Sequence, residues 1–229
     1  MNLTKILSDG CTVNTSGTTG TPKAIYQSPL KIHYANKIAL RVQNITSESK
    51  ILTVCTLDHV GGLFAQTLPG ISVNAHVDIE QFNPFKWVGK IVKDGYTHSH
   101  LTPNMARAIM ATKTFKNGLN LNGITIMCGS DIVPSFIIRA FTDQGATFIA
   151  NWGMSEVGPV AINKTYNKGD YIHATENSIM GDTIYCDTKI VDSELHVKGN
   201  ICVYDDWFST GDLVEYKNGT YWFLGRKNA

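Results

Sequence analysis

The sequence is short of net charge. Its 229 residues carry 20 Lys and Arg against 19 Asp and Glu, a net of +1. It therefore lacks the basic excess of a dedicated nucleic-acid binder or a polybasic membrane-surface protein. Cysteine is also scarce. Cys11, Cys55, Cys128, Cys186 and Cys202 are odd in number and widely scattered, with no Cys-x-x-Cys among them. That pattern argues against a zinc site and a disulfide framework, and for reduced, buried thiols in a cytoplasmic protein. No run reaches the roughly 18 apolar residues of a membrane-spanning helix. The residues after Met1 (Asn-Leu-Thr-Lys-Ile-Leu-Ser-Asp) lack the apolar segment of a secretory signal. Internal repeats, charge blocks, low-complexity linkers and a Gly-x-Gly-x-x-Gly string are missing too. What is present is 43% hydrophobic and 10% aromatic residues, which excludes wholesale disorder. The length suffices for a sizeable core without disulfides or a structural metal.

Short β-branched runs alternate with longer amphipathic ones over the first three quarters of the chain. Strands are expected at Ile51–Thr56, Ile71–Val77, Thr97–Leu101, Ile124–Cys128 and Thr147–Ala150. Helices are expected at Leu30–Gln43, Pro84–Lys93, Pro103–Thr112 and Pro134–Asp143. Three of these helices open on proline and the other follows Pro29, the position where the missing N–H costs nothing. The alternation predicts an α/β fold with a mainly parallel, helix-covered sheet. After about residue 175 only short strands follow: Thr183–Cys186, Lys189–Val191, Glu194–Val197, Ile201–Tyr204, Asp212–Tyr216 and Thr220–Leu224. Asn218-Gly219 is a strong hairpin turn, since both residues tolerate positive φ. The expected organisation is an α/β unit over residues 1–175 and a small antiparallel, barrel-like unit over residues 176–229.

The most particular segment is Thr15-Ser16-Gly17-Thr18-Thr19-Gly20-Thr21-Pro22-Lys23. Its first six residues hold four hydroxyls and two glycines, enough to wrap O–H and N–H donors around an anion, with Lys23 adding a point charge. It is not a Walker loop, because no glycine directly precedes the lysine and no Ser or Thr follows it. A flexible polar loop is the plain alternative.

With that segment in view, the chain resembles the AMP-forming acyl- and aryl-CoA ligases of the adenylate-forming superfamily. Thr15–Lys23 is similar to their phosphate-binding signature, with Ala24 where glycine is usual. Further segments follow in family order. Leu57-Asp58-His59-Val60-Gly61-Gly62-Leu63 resembles the histidine-glycine segment near the acyl pocket. Gly129-Ser130-Asp131 with Val133-Pro134 resembles the turn along the adenine. Asn151-Trp152-Gly153-Met154-Ser155-Glu156 is similar to the aromatic-Gly-x-Thr-Glu motif. Ser209-Thr210-Gly211-Asp212-Leu213 and Gly225-Arg226 resemble the last two motifs of the large domain. Thr97–Met110 is loosely similar to the o-succinylbenzoate–CoA ligase branch.

The resemblance implies ATP or AMP with Mg²⁺ as cofactors, a small-molecule carboxylate as substrate, and CoA as a further reactant. Residues 1–175 would be the nucleotide-binding core. Thr15, Ser16, Gly17, Thr18, Thr19, Gly20 and Lys23 would hold phosphate, with Lys23 also taking part in catalysis. Gly129, Ser130, Gly153 and Ser155 would line the nucleotide. Trp152 would stack on adenine, where tyrosine is usual. Asp212 would accept from the ribose hydroxyls and Arg226 would donate near the ribose or phosphate. Glu156 would be the Mg²⁺ ligand. His59 would lie beside the acyl group, although a satisfied core histidine is an equal reading of that residue. Leu57–Leu63 and Thr102–Met105 are candidates to line the acid pocket. Taken singly, these residues read as core tryptophan, surface glutamate and ordinary turns.

Two rival patterns are weaker. Gly153-Met154-Ser155 is faintly like a hydrolase nucleophile elbow, but Val157 stands where the closing glycine is needed. His98 and His100 would share one strand face and could hold a metal, yet a polar strand edge is the favoured reading. Members of the resembled family are usually much longer. They continue past the position of Asn228 into a mobile lid whose lysine bridges carboxylate and α-phosphate. The expectation is therefore a core that lacks this lid. It would form an acyl-adenylate slowly or with a lid supplied by another chain, with self-association as another way to cover exposed faces. The alternative is a binding module that holds nucleotide without turnover. No residue replaces the lid lysine by position, and Lys227 is a poor candidate.

Overall fold

The computed structural model describes residues 2–15, 23–170 and 178–227. Helix α1 (Leu3–Asp9) leads into a hairpin of β1 (Cys11–Asn14) and β2 (Ala24–Gln27). Next come α2 (Pro29–Gln43), β3 (Lys50–Thr53) and α3 (Val60–Gly62), which runs through a π-helical turn (Leu63–Thr67) into α4 (Leu68–Ser72). The chain continues with β4 (His76–Ile79), α5 (Pro84–Lys90), β5 (His98–Leu101), α6 (Pro103–Met110), α7 (Lys113–Lys116), β6 (Thr125–Cys128) and α8 (Ser135–Asp143). A long hairpin, β7 (Thr147–Met154) and β8 (Gly158–Tyr166), follows. The last strands are β9 (Ile179–Gly181), β10 (Thr183–Ile184), β11 (Asp187–Val191), β12 (Glu194–Lys198), β13 (Phe208–Lys217) and β14 (Thr220–Arg226).

Capping explains where the helices start. Ser28 accepts from the Lys31 N–H ahead of Pro29, Asn83 accepts from Phe85 and Lys86 ahead of Pro84, and Thr102 accepts from Met105 ahead of Pro103. In each, a side-chain oxygen meets an orphan N–H while proline supplies a helical φ where no N–H is needed. At α8 the expectation shifts by one residue: Pro134 is extended (ψ 143°) and the helix begins at Ser135.

The first sheet has seven strands in the order β10-β8-β7-β6-β5-β3-β4. Strands β4, β3, β5, β6 and β7 pair in parallel, and β8 and β10 add antiparallel at one edge. Both faces are covered, as a parallel sheet requires. Along β6, Ile126 and Cys128 join Trp87, Ile109, Phe115, Ile137, Phe141 and Phe148 beneath α5–α8, while Met127 joins Ala39 of α2 and Ala65 of the π turn. Phe141 is fully buried and touches Trp87, Phe115 and Phe148 at ring-centroid distances of 6.2, 5.0 and 5.8 Å.

Several expected elements are corrected. Ile71–Val77 is not one strand. Ile71 and Ser72 close α4, and the strand begins at His76. The β-branched residues there serve a helix whose Gly70 packs so closely on β3 that a Cβ would sit 2.5 Å from Ile51 Cδ1. Ile201–Tyr204 is a turn, although Ile201 and Cys202 are buried in the second core. Of the expected Thr183–Cys186 strand, Thr183–Ile184 pairs with β8 in the first sheet. His98 and His100 lie on β5, between β3 and β6, so the polar strand edge is overturned.

The second sheet is antiparallel and open, in the order β11-β12-β13-β14-β9. It is a five-stranded ladder and not a closed barrel. Asn218 (φ 53°) and Gly219 (φ 77°) form the expected turn between β13 and β14. Val157, Ala161 and Ile162 of the β8 hairpin share a core with Leu195, Val197, Val214 and Tyr221, which seats this sheet on the first. Gly181 (φ 150°) lets β9 cross against the Asn163 backbone, where any Cβ would collide.

Glu194 organises the second sheet. Its buried carboxylate accepts from the Ser209 hydroxyl, from Gly211 N at 2.8 Å and from Lys227 Nζ at 2.8 Å. Lys227 first, then Ser209, hold this carboxyl down from 4.5 to about 2. A depressed carboxylate stabilises the fold above its unfolded pKa and loses that contribution as pH falls through the folded value. Denaturant midpoints of the wild type should fall between pH 4.5 and about 2 by an increment missing in Glu194→Gln. At neutral pH that variant should lose about 1–3 kcal/mol. Phe141→Ala should cost about 3–5 kcal/mol in urea unfolding, as for other buried aromatics. An unchanged midpoint would mean that the ring cluster does not anchor the helices.

Candidate functional site

Among the described site residues, His59, Gly129, Ser130 and Trp152 lie at or beyond the carboxyl ends of β3, β6 and β7, where open α/β sheets present their binding loops. The β1–β2 hairpin is closed at its mouth by two hydrogen bonds. Thr15 N donates to Lys23 O at 2.9 Å, and Lys23 N donates to Thr15 Oγ1 at 3.1 Å. The predicted phosphate residues Ser16, Gly17, Thr18, Thr19 and Gly20 fall between them and lie outside the described residues. Lys23 is exposed at this mouth. His59 caps α3, is exposed, and places Nδ1 3.2 Å from Asn14 O, one residue before Thr15. The core-histidine alternative is thereby overturned.

Gln27 was not singled out from the sequence. It is buried on β2 and its Nε2 donates to Ser155 O at 2.6 Å, tying the hairpin to the β7–β8 turn. A polar residue at an inward position of a strand was the available signal. In that turn, Gly153 presses on the backbone of Gly158 and Pro159 so closely that no Cβ could fit. Ser155 is buried, which removes the nucleophile-elbow reading. Glu156 is half-buried; its carbonyl accepts from Val203 N at 2.8 Å, and its carboxylate has no partner among the described residues.

The end of β7 meets β13 and β14 at Asp212. Trp152 Nε1 donates to Asp212 Oδ2 at 2.8 Å, and Arg226 Nε lies 2.6 Å from Oδ1 as an ion pair. That approach lacks hydrogen-bond alignment, so Oδ1 accepts no hydrogen bond from a described residue. Asp212 is 2% exposed, and burial raises its pKa against the lowering by Trp152 and Arg226. The turn is braced from behind: Asp212 N donates to Thr210 Oγ1, and Thr210 Oγ1 donates to Leu195 O. Lys227 is engaged by Glu194 and does not enter this site.

Beyond β6, Gly129 packs on Asn151, where an added Cβ would stand 2.6 Å from Oδ1. Asn151 Nδ2 donates to Pro159 O at 2.6 Å, but its buried Oδ1 is unpartnered among the described residues. Ser130 follows at φ 73° and is exposed. The histidines of β5 differ from each other. His98 Nε2 pairs with Gln43 O at 2.9 Å and its Nδ1 with Thr97 Oγ1 at 2.7 Å. Neither nitrogen of His100 makes a hydrogen bond of normal geometry to a described residue, although the Gly61 backbone lies against the ring. Burial lowers the His100 pKa to about 4. No cluster of three metal-ligating side chains occurs among the described residues. The cysteines are all free, and burial pushes the thiols of Cys55 and Cys186 up to about 12. Such thiols are poor nucleophiles and poor metal ligands.

This geometry has relatives. The sequence model of the "AMP-binding enzyme" family matches residues 12–211. Indoleacetate–CoA ligase of Aromatoleum aromaticum is 28% identical over 93% of the chain, which covers 46% of that protein. The 2-succinylbenzoate–CoA ligase of Staphylococcus aureus is 24% identical over 90% of the chain and 45% of that protein. The chain thus spans about half the length of these curated relatives. Among solved structures, ATP-bound MatB from Rhodopseudomonas palustris superposes with a TM-score of 0.78 at 18% identity, over 94% of this chain and 48% of that one. The amino-terminal domain of FACL13 from Mycobacterium tuberculosis gives 0.81 at 17% identity, over 94% and 60%. At that identity the structures speak for the fold, and it is the one seen here: a parallel-rich sheet followed by a separate antiparallel one. By the extent of the family match, the chain belongs to the AMP-binding enzyme family.

Proposed function

We propose that this chain binds ATP with Mg²⁺ together with a carboxylic acid and forms, or holds, the acyl-adenylate. The supporting observation is Asp212, a buried carboxylate that lies beside an indole ring and whose Oδ1 accepts no aligned hydrogen bond from a described residue. A carboxylate offers about four lone-pair sites, so Trp152 and Arg226 leave room for two ribose hydroxyls. The Trp152 ring, held by its N–H, offers adenine a face. The unpartnered Asn151 Oδ1 behind Gly129 is an acceptor suited to an exocyclic amino group. A Cβ at position 129 would fill that space.

In adenylation a carboxylate oxygen bonds to the α-phosphorus, the bond to the bridging oxygen breaks, and pyrophosphate leaves with the electron pair. No proton need move. The difficulty is bringing two anions together, and fixed donors and cations answer it. Lys23 at the hairpin mouth supplies positive charge for the leaving pyrophosphate, with the hydroxyls of Thr15–Thr19 as proposed donors. The free carboxylate of Glu156 suits a hard cation that takes few carboxylates and completes its shell with phosphate oxygens. When bound, Mg²⁺ would neutralise phosphate charge there. Gln27 holds this turn against the hairpin, so the two phosphate-facing segments keep one spacing. CoA is the proposed acceptor of the acyl group, after the names of the relatives.

Calorimetric titration with ATP or AMP in Mg²⁺ should show binding that weakens about tenfold to a hundredfold in Asp212→Ala, the range for lost hydrogen bonds to a charged acceptor. Trp152 fluorescence should change on binding. Carboxylate-dependent ATP–pyrophosphate exchange above a Lys23→Ala control would establish turnover. Binding without exchange would leave a nucleotide-holding module, and no binding at millimolar ATP would remove both readings.

A further inference from the structure

We propose that His100 is a specificity-determining residue of the acid pocket, and that it selects carboxylic acids bearing a hydroxyl or keto group remote from the reacting carboxylate. This rests on the ligase reading above and names its substrate class. On β5, His100 is flanked in register by Thr53 of β3 and Met127 of β6. Cross-strand partners share a face, and Met127 looks toward α2 and the π turn. The imidazole therefore stands under the Leu57–Leu63 segment. At Gly61 a built Cβ would come within 3.1 Å of His100 Cε1 and 3.3 Å of Ser130 Oγ. On the other side, Cys55 Sγ donates to His100 O and lies 3.8 Å from Met105 Sδ. The Leu57–Leu63 segment thus meets the ring at Gly61, while Met105 reaches only the backbone side of His100, through Cys55.

That ring is 3% exposed, and neither nitrogen makes a hydrogen bond of normal geometry to a described residue, although the Gly61 backbone lies against it. A buried polar group left unpaired destabilises a fold, and most such groups in native proteins are satisfied. His98, two residues earlier on the same strand face, has both nitrogens engaged. The fold can therefore satisfy a histidine on this strand, and at His100 it does not. A neutral imidazole has one donor and one acceptor to offer. A hydroxyl meets either, and a keto oxygen meets the donor. The π-helical turn that roofs the ring has the looser backbone geometry often found at binding sites.

The test is a set of matched acids: benzoate and 4-hydroxybenzoate, phenylacetate and 4-hydroxyphenylacetate, butyrate and 3-hydroxybutyrate. Ring ¹⁵N signals of His100 would be followed by NMR in the full chain, without nucleotide and with ATP·Mg²⁺, alongside calorimetry. At least one hydroxylated acid should bind about tenfold or more tighter than its parent and shift the His100 signals. In His100→Leu that advantage should vanish, the parent acid should bind as well as before, and the thermal midpoint should rise because an unpaired polar ring has left the core. His100→Asn, which keeps donor and acceptor, should retain part of the preference. Equal binding of every pair in the wild type, or a preference that survives His100→Leu, would overturn the assignment. So would His100 signals unmoved by all six acids in both states. Loss of nucleotide binding alone would sink the ligase reading, while the nucleotide-free titrations would still decide the role of His100.

Discussion

Asp212 is the constraint around which the two sheets are arranged. A carboxylate that is 2% exposed is a liability unless donors are held against it. Those donors come from separate elements: the Trp152 indole from the end of β7, and the Arg226 guanidinium from the end of β14. Each donor needs its own support. Trp152 reaches across because Gly153 lets the β7–β8 hairpin close tightly on Gly158 and Pro159. Arg226 is placed because the next residue, Lys227, is tied to Glu194, which also fixes Ser209 and Gly211 on the same turn as Asp212. The electrostatic outcome stays poised, with burial raising the Asp212 pKa against two nearby donors. The apolar seam of Val157, Ala161 and Ile162 against Leu195 and Val214 supplies the energy that keeps the sheets in contact.

The parallel sheet contributes rigidity in the direction the site needs. Its strands are buried on both faces and pinned by helices capped at Ser28, Asn83 and Thr102. The loops leaving the strand ends therefore start from fixed points. The hairpin β1–β2 is not part of that sheet, and it would be free to drift without specific ties. Val13 and Ile25 pack it against Ile32, Leu63 and Phe64, and its polar ties include Gln27 to the Ser155 carbonyl and the Asn14 carbonyl to His59. These two hydrogen bonds, each to a backbone carbonyl, leave the mouth residues Thr15 and Lys23 exposed or half-exposed. The hairpin is thus anchored at its base by the apolar cluster and left exposed at its mouth.

Much of this was legible in the residues. Periodicity and Pro-led helix starts located α2, α5 and α6, and Asn218-Gly219 marked its hairpin. Trp152, Glu156, Asp212 and Arg226 stood out because their motifs occur in a fixed order. What could not be read was tertiary. Ile71 and Val73 look like strand residues, but Pro69 and the close approach of Gly70 to Ile51 put that stretch in and beside a helix. Ile201 and Cys202 are buried without a ladder, so an apolar run was mistaken for a strand. Strand β8 escaped notice because its burial is nearly continuous from Gly158 to Asn163 and shows no alternation. Gln27 and Glu194 are ordinary polar residues until a partner more than a hundred positions away, or a buried turn, gives them work.

The two histidines of β5 show how little of a side chain's role lies in its local sequence. His98 and His100 share a strand face and the same kind of flanking residue, and both are buried. Yet one is bonded through both nitrogens, while neither nitrogen of the other makes an aligned hydrogen bond to a described residue. The difference is set by what covers each. The carboxyl end of α2 presents the Gln43 carbonyl to His98, while His100 lies under Gly61, whose backbone approaches the ring without an aligned hydrogen bond. Burial then makes His100 neutral at physiological pH, its pKa lowered to about 4. A neutral imidazole can still offer one hydrogen-bond donor and one acceptor. Among the site residues, charge gathers at Asp212, Arg226 and Lys23, while the interior of β5 carries uncharged polar side chains.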